Sequence, residues 1–94
     1  MMENPDTITR TAEETSLDVP WNVVVHDDPV NLIPYVTLII MKIFGYDVKK
    51  ATILTLQVHK LGRAIIWSGE REKAEFYVQQ LQTHQLKSSL EKAA

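Results

Sequence analysis

His26, Asp27 and Asp28 follow three β-branched residues, Val23 to Val25, and stand directly before Pro29. An imidazole and two carboxylates in a row offer three chemistries. They could ligate a metal, move protons as an acid/base pair, or accept hydrogen bonds from a cationic ligand. Successive strand residues point to opposite faces, so Asp27 and Asp28 converge on one point only if the chain turns between them. Pro29 favours such a turn. Asp-Asp-Pro is equally the pattern of an Asx loop whose carboxylate caps its own backbone. A second imidazole, His59, lies four residues after Thr55 in a helical pattern, so the two share a face, with Val58 adjoining it. Beside Lys60, His59 also reads as an ordinary surface histidine. His84 falls at the polar end of the third helical stretch, where a cation suits the helix dipole.

The rest of the chain narrows the choice. His26, Asp27, Asp28 and His59 are metal-ligand types, but they match no HExxH or EF-hand spacing. Without cysteine there is no disulfide framework and no Cys-based zinc site. There is no G-x-S-x-G, no phosphate-binding glycine loop, and no nucleophile beside a base, so the expectation is no enzyme, no cofactor and no metal. The formal net charge of −2 provides no basic field for nucleic acid. The longest apolar stretch, near residues 35–44, is too short to cross a bilayer and is interrupted by Thr37 and Lys42. The N-terminus carries no apolar run of signal-peptide length. A cytoplasmic monomer, with neither membrane nor nucleic acid as partner, is the expectation.

Ninety-four residues, 45% of them hydrophobic, suit one domain with one core. Residues 1–20 differ in kind: five carboxylates against Arg10 alone, and no aromatic residue. Such a segment cannot bury enough surface to offset its ordering entropy and reads as a flexible extension. Residues 21–94 form the domain. "WNVVV" (21–25) is a strand. Residues 35–44 form a helix opened by Pro34 and stopped by Gly45, with Val36, Ile39, Ile40 and Ile43 at helical spacing. Residues 47–61 form a second helix, N-capped by Asp47 and ended by Gly62, with Ala51, Leu54, Val58 and Leu61 inward. "RAIIW" (63–67) is a strand, and Ser68 is expected to cap a third helix with Ala74, Tyr77, Val78 and Leu81 inward. Residues 86–92 alternate as a last strand, with Leu86, Ser88 and Leu90 on one face. The order β-α-α-β-α-β implies an α+β fold. Three helices cover a small three-stranded antiparallel sheet, preceded by a disordered tail.

"VVVHDDP", "FGYDVKKAT", "LQVHKLGRA" and "EKAEFYVQQL" together resemble the ClpS family, adaptors of the ATP-dependent Clp proteases. The resemblance covers about residues 21–92. It implies a non-catalytic adaptor that binds proteins with a bulky apolar first residue, an N-degron, and hands them to an AAA+ unfoldase of ClpA or ClpC type. The family's Asn-Asp-Asp is here His26-Asp27-Asp28, and its closing histidine falls on His59. By resemblance, His26, Asp27 and His59 hold the substrate's α-amino group, and Asp28 supports the loop. Val24, Val25, Val30, Leu32, Val36, Thr55, Val58 and Leu86 wall the side-chain pocket. One extra residue between Val30 and Tyr35 leaves Leu32 and Ile33 as alternatives for the family's gating position. The unfoldase surface maps to Glu70, Arg71 and Glu75, and the N-terminal extension gains a role in engaging that partner.

Two departures carry expectations. Histidine replaces the usual asparagine at position 26, so binding should weaken as the imidazoles take up protons. Thr55 replaces a common methionine, which implies a roomier pocket that tolerates Trp or Phe better than Leu. The alternative reading is a plain protein-interaction domain resembling the C-terminal domain of the ribosomal stalk protein.

Overall fold

The computed structural model describes residues 19–93. Strand β1 (Trp21–His26) is followed by helices α1 (Ile33–Phe44) and α2 (Val48–Leu61). Strand β2 (Arg63–Gly69), helix α3 (Arg71–Thr83) and strand β3 (Ser88–Lys92) complete the chain. The sheet is antiparallel throughout, in the order β2-β1-β3. This is the expected α+β arrangement. The expected N-terminal extension, and hence the boundary near residue 20, lies almost wholly outside the described residues.

Local chemistry sets the helix limits. Pro34 occupies the first turn of α1, where a missing N–H leaves no bond unmade. Asp47 caps α2 by accepting from the Lys50 N–H at 2.8 Å. Gly45 and Gly62 end α1 and α2 in the left-handed region, at φ 71° and 88°, where a Cβ is strained. Helix α3 departs from expectation. Ser68 is not its cap: β2 runs two residues further, because Asn22 and Trp21 offer pairing partners to Ser68 and Gly69. The Ser68 hydroxyl instead donates to Asn22 Oδ1 across the ladder. Glu70 takes the cap position without a side-chain hydrogen bond.

All three helices pack on one face of the sheet. Val23 and Val25 of β1 and Ala64 and Ile66 of β2 meet Val36, Ile39 and Ile40 of α1. Ala51 and Val58 of α2 and Ala74, Val78 and Leu81 of α3 complete that core. Val24 points the other way, as alternation requires, yet it too is fully buried. Arg63 lies opposite His26 and Glu91 opposite Asn22, so the ion pair between these outer-strand residues passes across Val24. The register shifts between Val23 and Val24, leaving Ile66 as the extra residue of a bulge.

Candidate functional site

The end of β1 is pinned on both sides. The His26 N–H donates to Lys87 O at 2.8 Å, and the Asp27 N–H donates to Gly62 O at 2.9 Å. The chain then turns: Asp28 Oδ1 accepts from the Val30 N–H at 2.9 Å and Asp28 O from the Asn31 N–H at 3.2 Å. Asp28 is therefore an Asx-type brace for the loop. Two further bonds tie this loop to the turn before β3. Asn31 Nδ2 donates to Gln85 O and Tyr35 Oη donates to His84 O, each at 2.9 Å. With its backbone fixed in this way, Asp27 holds its carboxylate half-exposed at the strand end.

Helix α2 supplies the opposite wall. Thr55, Val58 and His59 lie along one face of its last two turns and look toward the strand end. His59 Nδ1 stands 3.9 Å from Asp27 Oδ1, and the two side chains are 57% and 46% exposed. Between them opens a small pocket of about 30 Å³. Val25, Ile33, Val36, Val58 and Leu86 give it apolar walls, with Thr55 among them and His26, Asp27, Asp28, Asn31, His59 and Lys87 around them. The His26 ring is anchored by Nε2, which lies 2.7 Å from Ser89 Oγ on β3. On that strand the Glu91 carboxyl is held below the usual carboxylate range. The hydrogen bond from Arg63 is the main cause, opposed by desolvation and aided by the charge interactions with Arg63 and then His26.

This places most of the expected residues together, but not all. Val25, His26, Asp27, Asp28, Val36, Thr55, Val58, His59 and Leu86 converge on the pocket. Val24 lies behind the sheet. Val30 and Leu32 are 82% and 71% exposed and line a separate, open groove with Tyr35, Thr83, His84 and Gln85. Of the two gating alternatives, Ile33 is the one that faces the pocket. Asn31 and Lys87 were not anticipated: Asn31 sits in a loop without a period, and the strand expected over residues 86–92 begins only at Ser88, which leaves Lys87 before the ladder. Glu70, Arg71 and Glu75 lie at the far end of the sheet. There Arg71 Nε donates to Glu75 Oε2 at 3.1 Å and the guanidinium rests 4.7 Å from the Trp21 ring centroid. Among the described residues no three His, Asp or Glu side chains gather as metal ligands, and no helix is long and apolar enough to cross a membrane.

The fold and site define a small α+β domain with a narrow apolar pocket at one end of its sheet and hydrogen-bond acceptors beside it. Comparison with known proteins places that domain. The family model for the ATP-dependent Clp protease adaptor protein ClpS matches residues 16–91. The ClpS adapter protein of Nocardia farcinica is 49% identical over 77 residues, covering 82% of this chain and 73% of that one. That of Streptomyces coelicolor is 45% identical over 87 residues, covering 88% and 91%. Among solved structures, Agrobacterium tumefaciens ClpS2 bound to L-phenylalaninamide superposes with a TM-score of 0.75 at 17% identity. The match covers 81% of this chain and 99% of that one. The chain belongs to the ClpS family of Clp protease adaptors.

Proposed function

We propose that this chain captures proteins by a bulky apolar N-terminal residue and delivers them, without catalysis, to a ClpA- or ClpC-type unfoldase in the cytoplasm. One observation carries the reading: the half-exposed Asp27 carboxylate and the His59 imidazole stand 3.9 Å apart beside an apolar pocket. A free α-amino group is mostly cationic near neutral pH and has three protons to donate. Asp27 accepts the first. His59 accepts another through an unprotonated ring nitrogen, while His26, whose ring is held on Ser89 opposite Val24, borders the strand end beside them. The first side chain enters between Val25, Ile33, Val36, Val58 and Leu86, where apolar burial adds about 1.5–3 kcal/mol for a Leu- or Phe-sized group.

The relatives are named as Clp protease adapters, and the fold neighbour was solved with phenylalaninamide, whose amine is free. Both support the reading. Glu70, Arg71 and Glu75, at the opposite end of the sheet, form the surface we assign to the unfoldase, and the adaptor acts as a monomer. Binding of a fluorescent peptide that begins with Phe, measured by anisotropy beside the same peptide with an acetylated N-terminus, tests the proposal. Tight binding of the free peptide and none of the acetylated one is expected. Equal binding of both would remove the amine clamp.

A further inference from the structure

Leu86 owes its place in the pocket wall to the way α3 ends. The Leu86 N–H donates to Leu81 O at 3.0 Å and the Gln85 N–H to Gln82 O at 2.9 Å. This is the Schellman arrangement, which puts a left-handed residue where Gln85 stands. Gln85 adopts φ 66° there without being glycine. The turn sends Leu86 inward, 2% exposed, into the core that also holds Leu81. The two carbonyls before Leu86 are then taken up by another segment. Tyr35 Oη donates to His84 O and Asn31 Nδ2 donates to Gln85 O, each at 2.9 Å. Tyr35 lies in the first turn of α1, which the Val36 N–H closes by donating to Leu32 O at 3.0 Å. Within that turn stands Ile33, and Ile33, Val36 and Leu86 are all walls of the pocket. Tyr35, His84 and Gln85 line the outer groove instead. Two side-chain hydrogen bonds outside the pocket thus tie the segment carrying Ile33 to the segment carrying Leu86.

We infer that Tyr35, with Asn31, is a positioning residue that sets how far the Ile33 and Leu86 walls can part, and so limits the size of the first residue. This rests on the amine-clamp reading above and sharpens its substrate class. A Leu side chain gains from walls held close, because an apolar contact loses a quarter to a half of its attraction over a gap of about 0.5–1 Å. A Trp ring gains from walls free to move, because a packed site resists added volume. Removing the tie therefore favours Trp over Leu on both counts. The expected shift is about two- to fivefold, the range for one net hydrogen bond between neutral, exposed groups.

The experiment measures peptides that begin with Leu and with Trp by competition anisotropy and takes the ratio of the two affinities. A variant that only unfolds part of the population weakens both peptides by the same factor and leaves the ratio alone. Tyr35→Phe removes one hydroxyl, keeps the ring, and should move the ratio toward Trp by about two- to fivefold. Asn31→Ala removes the second bond and should move it the same way. Asp47→Ala is the control for stability: it removes the cap at the end of α2 opposite the pocket, so it should lower the urea midpoint without moving the ratio. A ratio unchanged or moved toward Leu in Tyr35→Phe, or one that moves as much in Asp47→Ala, overturns the inference and leaves the clamp standing. Free peptides that bind no better than their acetylated forms remove the clamp and this inference with it.

Discussion

Replacing Asp27 by Asn changes one charge and almost no volume, so it isolates the electrostatic part of the proposed clamp. The magnitude follows from exposure. Hydrogen bonds to charged groups contribute about 1.5–3 kcal/mol, with the upper end reserved for dry sites. The Asp27 side chain is 46% exposed and His59 57%, so water screens the site and the lower end applies. At about 1.4 kcal/mol per tenfold, Asp27→Asn should weaken a free Phe-peptide by roughly tenfold. Stability should barely change. The bond that fixes Asp27, from its N–H to Gly62 O, is made by backbone that Asn also possesses. Among the described residues its exposed carboxylate has only the distant His59 as ionic partner, and surface changes of this kind usually stay within about 0.5 kcal/mol. The assay is anisotropy with free and acetylated peptides at two salt concentrations, beside a urea melt. Affinity lost by less than about twofold, with the melt unchanged, would refute the argument that Asp27 holds the ammonium.

Gly62→Ala should destabilise the domain by about 1–2 kcal/mol in urea titration, since φ of 88° strains any side chain even where a Cβ meets open space. Little change would mean that the helix end relaxes elsewhere. Glu91 has a folded-state pKa below its unfolded one, so its contribution is present above the ordinary carboxylate range and is lost as pH falls through the folded value. Glu91→Gln should therefore flatten the acid limb of a stability–pH curve, by a small amount because the group is exposed; an unchanged limb would show the Arg63 pair to be inert.

Local signals in the chain carried the helices well. Asp47, Gly45 and Gly62 end or begin helices through their own side chains or lack of one, so the sequence displays those limits directly. Ser68 misled because its fate depends on Trp21 and Asn22, more than forty residues earlier in the chain, which extend β2 by pairing. In the site, Thr55, Val58 and His59 were legible as one helical face. The alternation that puts Val25 toward the pocket also sends Val24 behind the sheet, so that misplacement was avoidable from the pattern alone. The positions of Asn31, Ile33 and Lys87 were not legible in the same way. The Asx turn at Asp28 and the Asn31–Gln85 bond orient that loop, and both depend on tertiary contact.

The Ala93 N–H donates to Pro20 O at 2.9 Å, beside the first rung of the sheet, where Trp21 pairs with Lys92. Chain entering at residue 20 and chain leaving at residue 93 thus pass through one small area, while His26 marks the other end of the same strand. Six residues of extended chain separate the two ends by about 17 Å. A label attached at residue 20 or at residue 93 therefore sits on the side remote from the pocket. Such attachments leave the pocket's entrance clear, and a reporter meant to sense an occupant of the pocket has to be placed elsewhere, on the loop between β1 and α1.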